Sequence, residues 1–313
     1  MLASVFWRPV LVGVDATSAS AHAARVGRDL ATLAGVQAHL LHATPEAWTV
    51  PPAPHTFAVN PDALNEAACD AARAVVMQAL AGQVPPDALD RLTVRPGRPA
   101  TVLRDAARDL DAGLIVLGGK HHSALGRWVV GSTAHALARV LDIPLLVTVA
   151  ATPIKRMLAA VDLSEAAGPT IHAAERFAEL LGASLRILHV VEPIPVLPDT
   201  PLHLNEEELL DRTLDHLERY VWPLITLPEA VPAVRRGIAA ETIAAEAADD
   251  GSDLVILGSH GKGWVDRILI GSVTERVLAA LPTSVLVVPV TGHVDRWGTA
   301  APRSVGGARA PVR

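Results

Sequence analysis

The sequence predicts an α/β fold made of two tandem copies of an open parallel sheet with helices on both faces. Three observations lead to this prediction. The chain has 313 residues, which is long for one hydrophobic core and comfortable for two domains. A long internal repeat divides it into two copies. Within each copy, short apolar runs alternate with segments of helical periodicity, and this alternation is typical of parallel sheets with helical crossovers.

The repeat is visible in two pairs of matching segments. Residues 10–46 match residues 157–193, and residues 94–119 match residues 234–259. The offset is 147 residues where Asp15 aligns with Asp162, and 140 where Gly97 aligns with Gly237. The first copy therefore carries seven extra residues, which we place in the Pro-rich segment 44–62. We expect domain 1 at residues 1–150, domain 2 at residues 151–291, and a disordered tail rich in Gly, Pro and Arg at residues 292–313.

The second copy illustrates how the elements are predicted. A helix with Ile171 and Phe177 on its apolar face ends at Gly182, a typical C-cap residue. A later helix is predicted to bury one face, formed by Leu210, Leu214, Leu217 and Val221. Apolar strands are predicted at 156–161, 184–191, 232–237, 253–258 and 284–290. The last strand of each copy, 143–149 and 284–290, would leave an exposed apolar edge, so we expect the copies to pair there as an intramolecular pseudo-dimer.

Composition and charge exclude several classes of protein. The net charge of −6 and the pI of about 6.1 show no basic footprint for nucleic acid. No apolar run is long enough to span a bilayer, and Asp15 interrupts the N-terminal apolar stretch that might suggest a signal peptide. The single cysteine, Cys69, excludes an internal disulfide and is interpreted as a small buried residue in a reducing compartment. We expect a cytoplasmic protein without nucleic-acid or membrane partners.

The most informative stretch is LGSHGKGWVDRILIGSVTERV at 257–277. It follows an apolar strand, and ligands of open α/β sheets bind beyond the carboxyl ends of such strands. Gly271 and Ser272 begin a predicted helix, where backbone N–H groups favour an anion. Gly258 permits close backbone approach, and Lys262 adds positive charge. These residues predict a phosphate cradle. The alternative is that the glycines only make a tight turn.

Other chemical motifs are weaker or absent. No Walker A motif occurs, and no Gly-x-Gly-x-x-Gly follows the first strand of either copy. His121 and His122 are interpreted as two exposed imidazoles on a loop, and His260 as a loop filler, rather than as metal ligands. The sequence predicts no catalytic residue and no protein metal site.

The spacing Gly-x2-Gly-x9-Gly-Ser resembles the ATP-binding branch of the universal stress protein family. The segments AAVDLSEAA, LHVVEP, GSHGKG, RILIGSVTERVL and LPTSVLVVP carry the resemblance in the second copy, and it extends over residues 10–150 and 154–290. It implies a five-stranded parallel sheet of the adenine-nucleotide α-hydrolase-like type in each copy. It also implies ATP as ligand, with Mg²⁺ bridging the phosphates, and dimerisation of the whole chain.

The resemblance assigns roles to individual positions of domain 2. Asp162 is expected to face the adenosine, and the backbone of Val190 to read the adenine edge. Ribose and phosphates would be held by Gly258, Gly261, Gly271, Ser272 and Val273, with Lys262 nearby. Ser284 stands where the family usually has a proline, away from the site, and is expected to matter little.

Domain 1 departs from the family pattern at one glycine. His121 replaces the second glycine of the motif, and a side chain there would share space with the ligand. The remaining expected positions of this weaker second site are Asp15, Ala43, Gly118, Gly131 and Ser132. We therefore expect the principal nucleotide site in domain 2.

Three functions remain open at this point. The chain is an ATP-binding regulatory protein of the stress response, a slow ATPase, or an interaction module with vestigial pockets. The intact motif of domain 2 argues against vestigial pockets. The sequence offers no obvious general base beside the γ-phosphate, so at most weak hydrolysis is expected.

Overall fold

A computed structural model of the chain describes residues 8–46, 60–122, 127–149, 153–193, 206–260 and 270–290. Gly261, Lys262, the tail at 292–313 and most of the Pro-rich insertion lie outside these residues. Within the described ranges, no helix has the length and apolar character needed to cross a membrane.

Domain 1 contains seven strands and five helices in its described residues. The strands are β1 (Val10–Gly13), β2 (Ala38–Thr44), β3 (Thr93–Pro96), β4 (Leu114–Gly118), β5 (Lys120–His122), β6 (Arg127–Val129) and β7 (Leu145–Thr148). The helices are α1 (Ser18–Ala34), α2 (Pro61–Leu80), α3 (Pro86–Leu89), α4 (Pro99–Asp109) and α5 (Ser132–Val140). Asn60 caps α2 by accepting from the N–H of Asp62, and Pro61 takes the first helical position, as predicted.

Domain 2 repeats this order without a counterpart of the β5–β6 hairpin in its described residues. Its strands are β8 (Arg156–Ala160), β9 (Ser184–Val191), β10 (Val231–Arg236), β11 (Leu254–Gly258) and β12 (Ser284–Val288). Its helices are α6 (Ala167–Leu181), α7 (Glu206–His216), α8 (Ala239–Asp249) and α9 (Ser272–Ala280). A π-helical turn (Leu217–Val221) and a 3₁₀ turn (Trp222–Leu224) continue α7. Gly182 ends α6 in the left-handed conformation, as predicted.

The strands form one sheet of ten, in the order β10-β9-β8-β11-β12-β7-β4-β1-β2-β3. Within each domain the five strands are parallel, with the first strand central and the chain winding to both sides of it. The domains join through antiparallel pairing of β12 and β7, where Leu286 lies opposite Leu146. The predicted fold and the predicted pairing of the last strands are both confirmed.

Side-chain contacts reinforce the junction between the domains. The Oγ of Ser284 accepts a hydrogen bond from the backbone N–H of Val149 at 3.3 Å. Arg139 of α5 and Glu275 of α9 form an ion pair at 2.8 Å. Ser284, expected to matter little, thus contributes to the domain contact because it begins the strand at the junction.

Two buried clusters cover the two faces of the sheet, and each includes residues of both domains. Leu146 and Leu286 belong to the cluster under α1, α2, α6 and the π-helical turn that follows α7, whereas Val147 and Val285 belong to the cluster under α4, α5, α8 and α9. Successive residues of a strand point to opposite faces, so one strand supplies both clusters. This explains why the buried strands are apolar at almost every position.

Some local predictions were wrong. Leu214 is 37% exposed, and Thr213 takes the buried position at 7% exposure, one turn before Leu217 and two before Val221. The buried residues Thr213, Leu217 and Val221 are therefore spaced four apart, and this spacing continues from α7 into the π-helical turn. The spacing of the leucines in the sequence does not predict it. Cys69 is half-buried, since α2 exposes most of its surface. His121 and His122 belong to strand β5, which pairs with β6, rather than to a loop.

Candidate functional site

A cavity of about 360 Å³ lies in domain 2 at the carboxyl ends of β8, β9 and β11. The chain turns to opposite sides of the sheet from β8, and open α/β sheets bind ligands at such a switch point. The structure brings together at this cavity six of the predicted residues: Asp162, Val190, Gly258, Gly271, Ser272 and Val273. The other two, Gly261 and Lys262, fall in the part of the chain that the structure does not describe.

The end of β9 presents backbone polar groups to the cavity. The carbonyl of Leu188 accepts from the N–H of Val161 at 2.9 Å, which is the last ladder bond between β8 and β9. In a parallel pair the next bond would run from the N–H of Val190 to the carbonyl of Val161. That carbonyl instead accepts from Nδ1 of His189 at 2.9 Å. The N–H and C=O of Val190 therefore face the gap beyond the end of β8, side by side.

The carbonyl of Val161 can only accept a hydrogen bond, so His189 must be the donor. Its Nδ1 must carry the proton, which fixes the tautomer of the ring. His42 repeats the arrangement in domain 1, where Nδ1 lies 2.7 Å from the carbonyl of Val14. The matching histidines of the two copies were the available signal for this role, which sequence reasoning missed.

The opposite end of the cavity is built around Gly258. A Cβ atom there would lie 3.1 Å from Oγ1 of Thr170 and 3.2 Å from Cβ of Ala166. The φ angle of Gly258 is not positive, so the glycine reflects the close approach of α6 rather than a backbone conformation. The glycine is thus explained by packing at the strand end.

Hydrogen bonds fix the start of α9 against this strand end. Ser259 donates its N–H to Val288 at 2.7 Å and accepts from the N–H of Gly271 at 2.8 Å. Oγ1 of Thr274 donates to the carbonyl of Gly258 at 2.7 Å. Among the described residues no side chain caps α9, whose N-cap is Gly271. The first-turn N–H groups therefore remain available to an anion at the cavity.

Three further polar side chains of the cavity are held by their own neighbours. Oδ1 of Asp162 accepts from the N–H and the hydroxyl of Ser164, at 3.0 and 2.5 Å. Oε1 of Glu192 accepts from the N–H of Ala239 at 3.0 Å and so binds the start of α8. His260 lines the cavity, and its Nδ1 lies 2.8 Å from Oγ of Ser259. The interpretation of His260 as a loop filler was wrong, because Ser259 holds the ring at the site.

Sequence reasoning missed several lining residues besides His189. Four of them come from elements that precede the glycine stretch, and the fifth, Thr274, lies within it: Thr170, Glu192, Leu209, Thr213 and Thr274. The position of Thr274 at the cavity could have been predicted, since it lies two residues after Ser272. The others depend on how α6 and α7 pack.

Domain 1 places Asp15, Ala43, Gly118, Gly131 and Ser132 at the same positions of its own half-sheet. The start of α1 lies closer to the strand end than in domain 2. A Cβ on Gly118 would lie only 2.5 Å from the backbone oxygen of Ala19. Oδ1 of Asp15 accepts from both the Thr17 and Ser20 hydroxyls, at 2.5 and 2.6 Å.

One more difference separates the domains. Ala134 stands where domain 2 has Thr274, so the hydroxyl that holds the strand end to the helix is missing. In domain 1 the segment after Gly118 forms the β5–β6 hairpin, with His121 opposite Trp128, whereas the matching residues 261–269 of domain 2 lie outside the described part of the chain. The two sites are therefore built on the same frame but are not equivalent.

Comparison with known proteins agrees with this architecture. The model of the universal stress protein family matches residues 7–148 and 153–289. The chain belongs to the universal stress protein family. The role of this family lies in the response to stress, and this member carries two tandem copies of the domain.

Individual relatives support the assignment over most of the chain. A universal stress protein of Mycolicibacterium smegmatis is 31% identical over 301 residues, covering 89% of this chain and 96% of the relative. One from Thermus aquaticus is 31% identical over 137 residues, covering 43% of this chain and 98% of the relative. The crystal structure of a universal stress protein from Archaeoglobus fulgidus has the same fold. Its TM-score is 0.61 at 17% identity, with 90% of this chain and 98% of that chain covered.

Proposed function

We propose that this universal stress protein binds ATP in the domain 2 cavity and acts as a nucleotide-dependent regulatory protein. One observation carries the proposal. A single cavity has the backbone N–H and C=O of Val190 at one end and the uncapped start of α9, with Ser272, at the other. The first suits the edge of a heterocycle and the second suits an anion. A nucleotide contains both a heterocyclic base and an anionic phosphate group.

The base end fits adenine because of the paired backbone groups. The adenine edge offers a ring nitrogen that accepts a hydrogen bond beside an amino group that donates one. The N–H and C=O of Val190 supply the complementary donor and acceptor. Asp162, at the end of β8, lies between the two ends of the cavity, where its carboxylate can accept from a ribose hydroxyl.

The phosphate end combines the first turn of α9 with the glycines. Gly271, Ser272 and Val273 offer backbone N–H groups, and Ser272 adds a hydroxyl. Gly261 and Lys262 join the site in this proposal on the basis of their place in the motif. Magnesium would be held mainly by the phosphates, since the described residues contain no cluster of three His, Cys, Asp or Glu side chains.

Domain 2 is the principal site in this proposal. In domain 1 the carbonyl of Ala19 lies against the strand end, and Asp15 accepts from two hydroxyls of its own loop. His121 replaces the glycine that Gly261 provides. Losing one charge-assisted hydrogen bond to phosphate costs about 1.5–3 kcal/mol. We therefore expect binding to domain 1 to be weaker by a factor on the order of ten to one hundred.

Titration calorimetry on nucleotide-free protein tests the proposal. We expect one tight ATP site, and Ser272→Ala should weaken it about tenfold or more because a hydrogen bond to phosphate is lost. Ser132→Ala, at the matching position of domain 1, is the control and should leave the tight site unchanged. Gly261→His should abolish tight binding, and His121→Gly should strengthen the weak site.

Three results would contradict the proposal. Absence of ATP binding would favour vestigial pockets, and two equal tight sites would refute the ranking of the domains. Steady phosphate release that is lost in Ser272→Ala would favour a slow ATPase over a regulatory protein. ATP recovered from the denatured purified protein would independently support the site.

A further inference from the structure

Thr213 occupies an unusual position on α7. It is 7% exposed and lies on the buried face of the helix, in line with Leu217 and Val221. The sequence pattern predicts Leu214 on that face instead. It also lines the domain 2 cavity. Although the residue as a whole is buried, its Oγ1 is not fully enclosed and is reached from the open space of the cavity, where a ligand can contact it.

The other hydroxyls of the cavity show the contrast. Thr170 donates to the carbonyl of Ala166 at 2.7 Å, and Thr274 donates to the carbonyl of Gly258 at 2.7 Å. The hydroxyls of Thr213 and Ser272 make no hydrogen bond with any residue that the structure describes. Two lining hydroxyls are thus left for a ligand, while the other two serve the fold.

These two hydroxyls belong to opposite ends of the cavity. Ser272 begins α9, which follows β11. Thr213 lies on α7, which follows β9, and the next inward residues of that helix, Leu217 and Val221, share a buried cluster with Ile187 of β9. The order β9-β8-β11 places β8 between them. Thr213 therefore lies on the side of Val190, away from the phosphate end.

We propose that Thr213 contacts the nucleoside and that its hydroxyl hydrogen-bonds a heteroatom of the bound base or ribose. This inference rests on the proposed function, because it assigns a residue to the nucleoside end of the same site. A hydroxyl both donates and accepts, so it can pair with a ring nitrogen, an amino group or a ribose oxygen. The contact is independent of the number of phosphates.

The test is titration of the full-length, nucleotide-free protein with adenosine, AMP and ATP. Thr213→Val keeps the shape of the side chain and removes the hydroxyl. We expect it to weaken all three ligands by the same factor, about threefold to tenfold. Thr213→Ser keeps the hydroxyl and should retain most of the affinity. Ser272→Ala should instead weaken ATP far more than adenosine.

Thr242→Val is the matched control. Thr242 lies on α8 of the same domain and outside the cavity, so this substitution should leave the three affinities unchanged. Without ligand, Thr213→Val should melt near the temperature of the unmodified protein, since the hydroxyl makes no hydrogen bond with the described residues.

The outcomes separate this inference from the proposed function. Unchanged affinities in Thr213→Val overturn the inference and leave ATP binding intact. A loss confined to ATP overturns it as well, because the contact would then involve phosphate. A large fall in melting temperature without ligand would show a structural role and would also overturn it. If the unmodified protein binds none of the three ligands, the proposed function itself fails.

Discussion

Glu175 is a carboxylate buried to 3% exposure on α6, and its partners lie where the chain leaves α7. It accepts hydrogen bonds from the N–H groups of Thr226 and Leu227 and from the hydroxyl of Thr226, at 2.8 Å for the hydroxyl. Three donors to one carboxylate compensate the cost of burying its charge. This residue therefore ties the segment before β10 to the helix that flanks the cavity.

We predict that Glu175→Gln lowers the free energy of unfolding by about 1.5–3 kcal/mol, because an amide group offers only one acceptor oxygen to these donors. Urea denaturation measures the change. Glu179→Gln, one turn along the same helix, is the control. Glu179 is exposed and pairs with Arg176 at 3.6 Å, so the loss there should stay below about 1 kcal/mol. Equal losses in the two variants would disprove the anchoring role of Glu175.

The helices of the two domains pack differently on the sheet, although the strand order of the domains is the same. The first helix of each domain crosses the end of the fourth strand, and the distance at that crossing is set by one glycine. At Gly118 the nearest neighbour of an added Cβ is the backbone of Ala19, at 2.5 Å. At Gly258 it is the side-chain oxygen of Thr170, at 3.1 Å. A backbone atom can move only with its helix, whereas a side chain can shift by itself.

We predict that Gly118→Ala destabilises the protein by about 1–3 kcal/mol, because α1 must move as a unit to admit the methyl group. Gly258→Ala should cost less, about 1 kcal/mol, since its nearest neighbours in Thr170, Ala166 and His260 lie at 3.1–3.3 Å and need to shift by only a few tenths of an ångström. Urea denaturation of the two variants provides a matched comparison. A larger cost at Gly258 would mean that α1 is not the more closely packed helix.

The elements also show how much of the fold and the site follows from sequence. The strands could be predicted because strands buried on both faces are apolar throughout, as Leu254–Gly258 is. The inward residue Thr213 could not, since a π-helical turn changes which face of α7 is buried. The glycine motif led to Gly258 and Ser272 at the cavity. His189 and Glu192 were missed, because their roles depend on the ends of neighbouring strands and helices.

The whole molecule is organised by the contact between its two half-sheets. Pairing of β12 with β7 satisfies the backbone groups of two edges that would otherwise be open. Both buried clusters run across the junction, and the Arg139–Glu275 pair and the Ser284 hydrogen bond lie beside it. The two domains therefore share one continuous core.

We predict that the domains, produced separately as residues 8–149 and 153–290, self-associate or aggregate, because each exposes an apolar edge strand. Size-exclusion chromatography with light scattering measures their mass. The full-length chain is the control, since its edges at β7 and β12 are already paired. Two well-folded monomers would show that the junction is not needed to cover these strands.

The joining of the half-sheets in one polypeptide also has an evolutionary consequence. In a symmetric pair of identical chains, every substitution appears twice, so a change that impairs one pocket impairs both. A duplicated chain removes this coupling, because each copy has its own codons. Ala134 and Thr274, or His121 and Gly261, can then differ while the shared sheet is kept. One copy is thereby free to lose or alter its ligand under relaxed selection, while the other continues to meet the original requirement.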